Sequence, residues 1–197
     1  MTANWNDHAE GWDDNADVQR YSELAFVSLV TEVEIRTTGW KSKRILDFGC
    51  GTGLMAERVA PFVREVVAID TSEKMIAVLD AKGIANVVAM HGNVLDADFQ
   101  RAHAWQSSFD LIYASSVCGF LSDYEGAVKS LVGLLKPSGT FIQWDWQATD
   151  DDDVGMTEMR IRNALTSARL RSVRAKPAFD IEADGMSLPV LLGVGVV

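Results

Sequence analysis

A run of glycines, followed about 20 residues later by an aspartate, gives this sequence its clearest chemical signal. The run is Asp47-Phe48-Gly49-Cys50-Gly51-Thr52-Gly53, and the later acid is Asp70. Glycine has no Cβ atom, so a ligand can approach its backbone closely. A carboxylate can accept hydrogen bonds from both hydroxyls of a ribose. Together these residues predict a site for a ligand that contains a ribose and lies against the glycine loop.

Other glycine-rich ligand loops fit this sequence less well. The dinucleotide fingerprint has its third glycine at the position that Leu54 occupies here. A P-loop needs Gly-Lys before Ser or Thr, and no lysine occurs between Lys43 and Lys74. The remaining alternatives are a glycine turn without a ligand and a helix cap within residues 70–72. The missing third glycine disfavours NAD as the ligand, and the missing lysine disfavours a nucleoside triphosphate.

Apolar periodicity places these residues at one edge of a predicted sheet. We predict helices at residues 22–35, 54–62, 72–81, 124–135 and 154–170, and strands at residues 45–48, 65–69, 86–90, 109–115, 140–144, 172–181 and 186–196. Alternation of strand and helix predicts a parallel sheet with helices on both faces. The short connection at residues 182–185 predicts an antiparallel hairpin. The expected fold is α/β and Rossmann-like, with a seven-stranded, mostly parallel sheet and a C-terminal antiparallel hairpin.

Composition disfavours several classes of partner. The 197 residues carry 28 acidic and 18 basic side chains, for a formal net charge of -10. An acidic surface repels nucleic acid and anionic lipid, so we expect neither as a partner. The two cysteines argue against a disulfide framework, and the polar N-terminus does not resemble a signal peptide. We expect a cytoplasmic protein that uses no metal and is a monomer or a homodimer.

Two motifs together resemble the class I methyltransferases that use S-adenosylmethionine (SAM). They are the glycine run and Ala68-Ile69-Asp70-Thr71-Ser72-Glu73-Lys74-Met75. The resemblance covers residues 40–145 and is greatest to the ubiquinone/menaquinone-biosynthesis-like branch, which acts on small molecules. It implies methyl transfer from SAM to a small-molecule acceptor. The alternative is a protein that senses or modifies SAM without methyl transfer.

The resemblance also divides the chain into parts. Residues 1–197 would form one methyltransferase domain. Within it, residues 1–38 would be an N-terminal lid or helical segment, residues 39–145 the cofactor-binding core, and residues 146–197 a helix and the terminal hairpin.

The resemblance further implies cofactor contacts at the ends of the first four strands. The implied set is Asp47, Gly49, Gly51, Gly53, Asp70, Thr71, Met75, Asn93, Val94 and Ser115. The glycine loop would pass under the methionine part of SAM, with Asp47 near its amino group and Asp70 on the ribose. Asn93 stands where the family has aspartate and would accept the adenine amino group, a role for which Asp96 is a rival. Met75 would pack on the adenine, or belong to ordinary helix core.

Aromatic residues are the best candidates for the acceptor pocket, because rings can surround an apolar group or stabilise a cation. The predicted pocket residues are Trp5, Trp12, Tyr21, Ser116, Trp144, Asp145 and Trp146. No convincing general base is evident, and His8 is only a weak candidate. The acidic run at residues 150–153 is interpreted as a solvated loop that caps the next helix, with attraction of a cationic amine as the alternative.

Overall fold

The computed structural model describes residues 4–148, 155–183 and 185–197, and its strands form one seven-stranded sheet. The strands are β1 Arg44–Phe48, β2 Glu65–Asp70, β3 Val87–His91, β4 Phe109–Ser115, β5 Leu135–Trp146, β6 Arg171–Ala183 and β7 Met186–Val196. Their order in the sheet is β3-β2-β1-β4-β5-β7-β6. The first five strands pair in parallel, and β7 lies antiparallel between β5 and β6. The predicted fold is confirmed.

Helices cover both faces of the sheet. They are α1 Ala16–Val33, α2 Leu54–Val59, α3 Glu73–Ala81, α4 Ala97–Ala102, α5 Tyr124–Val132 and α6 Glu158–Ser167. Residues of α1, α2 and α3 share one hydrophobic core, and residues of α4, α5 and α6 share the other. Neighbouring residues of a strand point to opposite faces, so Ile45 joins the first core and Leu46 the second. Strands buried on both faces are rich in apolar residues, which Ile45, Leu46 and Phe48 supply in β1.

Helix ends differ from the predicted ones where a side chain caps the backbone. α1 begins at Ala16 rather than residue 22, because Asn15 Oδ1 accepts hydrogen bonds from the N–H groups of Asp17 and Val18. α4 has no counterpart in the prediction, because it is short and polar and has no clear apolar period. α6 begins after Thr157, which caps it.

Some predicted features lie outside the described residues. The acidic run at residues 150–153 is one, together with the predicted start of the last helix at residue 154. Residue 184, in the connection of the hairpin, is another. The division of the chain at residues 38 and 145 stays a prediction.

Within the described ranges, every helix is too short or too polar to cross a membrane. The same residues contain no group of three or more His, Cys, Asp or Glu side chains arranged to hold a metal ion.

Candidate functional site

The glycine loop between β1 and α2 is held against the end of β2. The backbone N–H groups of Gly49 and Cys50 both donate to the carbonyl oxygen of Ile69, at 2.9 and 3.1 Å. Gly49, Gly51 and Gly53 have φ angles of 67°, 53° and 82°. Residues with a side chain rarely adopt this left-handed region. The tight turn therefore depends on glycine.

The space around the loop shows where a ligand could reach its backbone. A Cβ atom at Gly49 would lie 2.5 Å from Cγ2 of Val117, and one at Gly53 would overlap the side chain of Leu79. These two glycines make room for protein neighbours. A Cβ atom at Gly51 would meet no heavy atom within 4 Å, so this part of the loop faces open space.

Asp70, the last residue of β2, joins the glycine loop to the start of α3. Its Oδ2 accepts a hydrogen bond from the N–H of Gly51 at 2.9 Å, and its Oδ1 accepts one from the N–H of Ser72 at 2.8 Å. The hydroxyl of Ser72 in turn accepts from the N–H of Met75 and caps α3. The cap is therefore Ser72, while Asp70 presents a half-buried carboxylate between two loops. Thr71 beside it is exposed.

Asp47 and Tyr113 form a buried polar pair at the ends of β1 and β4. The Tyr113 hydroxyl donates to Asp47 Oδ2 at 3.0 Å, and both side chains are almost inaccessible to solvent. Burial raises the pKa of Asp47 from 3.8 to about 7; the Tyr113 hydrogen bond lowers it, and the nearby Asp70 charge raises it. A cationic group next to Asp47 would favour its charged form. This carboxyl therefore suits the amino group that the family resemblance implies beside it.

The residues predicted to hold adenine lie after β3 and on α3, in two different environments. Asn93 is exposed, and its Oδ1 accepts a hydrogen bond from the N–H of Leu95 at 3.0 Å. Val94 and Met75 are buried, which is compatible with an adenine contact and with ordinary core packing. Asp96 caps α4, so its carboxylate already has backbone partners. Both exposed side chains therefore already accept backbone hydrogen bonds, and the choice of Asn93 for adenine stays a prediction.

Three predicted pocket residues meet at the ends of β4 and β5. The Trp146 indole donates to the Ser116 hydroxyl at 3.0 Å, and the rings of Trp146 and Tyr21 lie 5.0 Å apart. The Tyr21 hydroxyl donates to the carbonyl of Trp144 at 2.9 Å, which fixes the α1 side of the group. Ser115, half-buried at the end of β4, precedes this cluster. The structure thus brings together residues from α1, from β5 and from the segment just after β4.

Two other predicted pocket residues lie in the protein interior. Trp144 is fully buried, and its indole donates to the Ser28 hydroxyl on α1 at 3.0 Å. Asp145 accepts hydrogen bonds from the N–H of Gly119 at 2.9 Å and from the Gln143 amide at 2.8 Å. Burial raises the pKa of Asp145 to about 7, and these hydrogen bonds oppose that effect. In this structure both side chains support neighbouring elements, and their contact with an acceptor stays a prediction.

Residues 4–15, here called the N-terminal strap, carry an aromatic cluster centred on Trp5. The Trp5 ring lies 5.3 Å from Phe120, 5.7 Å from His8 and 6.1 Å from Trp12, measured between ring centroids. Phe120 belongs to the segment after β4 and was not among the predicted site residues, because a single aromatic after a serine-rich strand end carries no distinctive pattern. His8 is exposed, so its use as a base stays a prediction.

Two further strap residues, Asn6 and Asp13, were also missed by sequence reasoning. Asn6 Oδ1 accepts a hydrogen bond from the Ser72 hydroxyl at 2.9 Å. Asp13 Oδ1 accepts one from the Thr52 hydroxyl at 2.5 Å. Polar residues in an N-terminal segment are ordinarily solvated, so nothing in their local sequence indicates these distant partners.

Comparison with known proteins gives a consistent result. A family model described as a methyltransferase domain matches residues 46–143. The uncharacterized methyltransferase YcgJ of Bacillus subtilis is 30% identical over 112 residues, which are 55% of this chain and 42% of that protein. A ubiquinone biosynthesis O-methyltransferase of Paraburkholderia phymatum is 30% identical over 129 residues, 65% of this chain and 54% of that protein. The chain therefore spans about half, or less, of the curated relatives it matches.

Solved structures show the same fold. The crystal structure of a SAM-dependent methyltransferase from Aquifex aeolicus has a TM-score of 0.68 to this chain at 19% identity. The match covers 97% of this chain and 98% of that one. The crystal structure of Bacillus subtilis YcgJ has a TM-score of 0.64 at 18% identity, and covers 86% of this chain and 97% of that chain.

Proposed function

We propose that this chain, which belongs to the methyltransferase family matched by residues 46–143, transfers a methyl group from SAM to a small-molecule acceptor. The observation that carries the proposal is the junction of Asp70 with the glycine loop. A carboxylate lies at the end of β2, hydrogen-bonded to Gly51, whose backbone faces open space. Ligands of open α/β sheets bind at this edge. A sugar and an attached amino-acid tail fit such a junction.

The residues present suit each part of SAM. Asp70 would accept hydrogen bonds from the ribose hydroxyls, and the buried carboxyl of Asp47 would face the amino group of the methionine part. The backbone at Gly51 would lie against that tail. Asn93 would receive the adenine amino group through its side-chain carbonyl, with Met75 and Val94 as apolar neighbours.

When bound, SAM supplies a methyl group that is already activated by its sulfonium. The protein's task is then to hold a nucleophile in line with the methyl group, and such orientation can contribute roughly 7–11 kcal/mol. A general base is needed only where the acceptor must lose a proton before it can attack. We place the acceptor beside Ser116, Tyr21 and Trp146, which the structure groups at the ends of β4 and β5.

The small-molecule acceptor is supported by the named relatives. The Paraburkholderia phymatum relative, similar over 129 residues, is named as a ubiquinone biosynthesis O-methyltransferase. The acidic chain also disfavours nucleic acid, because it would repel phosphates. We further propose that the enzyme acts in the cytoplasm, as a monomer or a homodimer.

Binding of SAM and of its demethylated product to the purified chain tests the proposal by calorimetry. Asp70→Ala should fold normally but weaken SAM binding about 100-fold, because two hydrogen bonds to a charged acceptor are lost. Asp80→Ala, which removes an exposed carboxylate from the last turn of α3, is the matched control and should bind as the wild type does. Unchanged affinity of folded Asp70→Ala would overturn the ribose assignment.

Methyl transfer is tested separately with labelled SAM and a panel of amine, thiol, carboxylate and hydroxyl acceptors. Transfer of label to any member supports the proposed activity. Tight SAM binding without transfer to any acceptor class would instead favour a protein that senses or modifies SAM.

A further inference from the structure

The N-terminal strap contacts the protein on both sides of Asp70, although it lies outside the residues matched by the family model. Near one end of the strap, Asn6 reaches the start of α3. Near the other, Asp13 reaches the glycine loop. The glycine loop and the start of α3 are also the segments that donate backbone hydrogen bonds to the Asp70 carboxylate.

Asp13 connects the glycine loop to the far end of α3. Its Oδ1 accepts a hydrogen bond from the hydroxyl of Thr52. Thr52 lies between Gly51 and Gly53 in the sequence of the loop, and it is buried. Its Oδ2 lies 2.7 Å from the ammonium of Lys82, just after α3. The side chains of Asp13 and Lys82 are 29% and 19% exposed, so solvent screens this ion pair only in part. Asp13 therefore limits movement of the loop relative to α3.

Asn6 has the corresponding contacts at the start of α3. Its Oδ1 accepts hydrogen bonds from the Ser72 hydroxyl at 2.9 Å and from the N–H of Lys74 at 3.1 Å. The Ser72 hydroxyl uses its single proton for Asn6 and accepts from the N–H of Met75. Asn6 thus fixes the rotamer of the capping serine, and Ser72 is the residue whose N–H binds Asp70.

We propose that Asn6 and Asp13 are positioning residues for the cofactor. They hold the glycine loop and the cap of α3 at the spacing that presents the Asp70 carboxylate to the ribose. This inference rests on the proposed binding of SAM. It adds that part of the cofactor affinity comes from a segment that acts on the ribose site through Thr52 and Ser72.

Coupling between two sites is reciprocal, so the proposal makes a second demand. If the strap contributes to SAM affinity, bound SAM must stabilise the docked strap by the same factor. Hydrogen exchange of residues 4–15 should then slow when the demethylated product of SAM is added. The factor by which it slows should equal the factor by which the strap variants weaken binding.

A double-mutant cycle tests the Asp13 contact. Thr52→Val should raise the dissociation constant of SAM about fivefold, and Asp13→Ala about tenfold, because it also removes the ion pair with Lys82. The double variant should be little worse than Asp13→Ala alone, because both changes remove the same hydrogen bond. The neighbouring exposed acid Asp14 supplies the control, and Asp14→Ala should bind as the wild type does. Thermal unfolding of each variant checks that it is folded at the assay temperature.

Asn6→Ala extends the test to the other contact and should weaken SAM binding to a similar extent, while Asn6→Asp, which keeps the acceptor oxygen, should restore most of it. If the wild type binds SAM and Asp13→Ala and Asn6→Ala bind it with the same affinity, the inference is overturned and the proposed function stands. Fully additive effects in the cycle, or strap exchange that SAM's product does not slow, would also overturn it. Failure of the wild type to bind SAM would refute both proposals.

Discussion

The buried hydrogen bond between Tyr113 and Asp47 predicts how SAM affinity depends on pH. The Asp47 carboxyl attracts the cofactor's amino group only when it is charged, and it is charged above its pKa. Because that pKa is raised to about 7, SAM affinity should increase as the pH rises through 7. Tyr113→Phe removes the 3.0 Å hydrogen bond that favours the charged carboxylate. The pH range over which SAM affinity increases should therefore move to higher pH.

The size of the effect follows from the strength of that bond. A buried hydrogen bond to a charged group is worth about 1.5–3 kcal/mol, and each pH unit corresponds to about 1.36 kcal/mol. Its loss should therefore raise the pKa of Asp47 by about one to two pH units. At pH 7, half of the wild-type carboxyls are charged, against about 1–9% in the variant, so SAM affinity should fall about 5- to 50-fold. At pH 9 the two proteins should differ only about twofold or less.

Calorimetric titration of SAM from pH 6 to pH 9 measures this effect. The ratio of the two dissociation constants at each pH cancels titration of the cofactor's own amino group. Tyr124→Phe is the control, because its buried hydroxyl donates to the neutral side chain of Gln143 on the opposite face of the sheet. That variant should be less stable than the wild type, but the ratio of their SAM dissociation constants should not change with pH. A ratio for Tyr113→Phe that stays constant from pH 6 to 9 would refute the role given to Asp47.

Two further predictions concern stability. Gly49→Ala should lower the free energy of unfolding by about 2–4 kcal/mol, because φ is 67° and the new methyl group would displace Val117. At Gly51 the new methyl group would meet open space, so Gly51→Ala should lower the free energy of unfolding by about 1 kcal/mol. Gly51→Ala should nevertheless impair SAM binding, and urea unfolding with calorimetry checks both effects; equal stability losses would contradict the geometry. Asp145, with its pKa raised from 3.8 to about 7, binds its proton more tightly when folded, so its contribution to stability is present below about pH 4 and is lost as the pH rises through 7. Between pH 4 and pH 8, the free energy of unfolding of Asp145→Asn should therefore decrease by about 4 kcal/mol less than that of the wild type, as measured by urea unfolding. If the free energies of the two proteins change in parallel with pH, Asp145 does not hold a buried proton.

Much of the fold was predictable because its signals are local. The strand at Arg44–Phe48 has three buried apolar residues, and the glycines follow it directly, so the loop at the sheet edge could be placed from the sequence. Alternating strand and helix patterns gave the parallel sheet, and the short connection before Met186 gave the antiparallel hairpin. α4 was missed because six polar-rich residues show no apolar period.

Candidate site residues followed the same division. Glycines and Asp70 were identifiable because their spacing is set by one strand-loop-helix unit and the next strand. The caps at Ser72 and Asp96 also have local causes, yet the sequence left both assignments open, since an acid or hydroxyl near a helix start can bind either backbone or ligand.

The sequence by itself determined the order of the strands along the chain, the glycine turn and the acid that ends β2, because each depends on residues close together in the chain. Only the tertiary structure decided that Asn6 lies on Ser72, that Asp13 lies on Thr52 and that Asp145 is buried. The Asn6–Ser72 and Asp13–Thr52 partners are separated by 66 and 39 residues, respectively, and their contacts depend on how the strap packs against the glycine loop and α3. No local pattern records such a crossing, because polar side chains have many possible partners and packing selects among them.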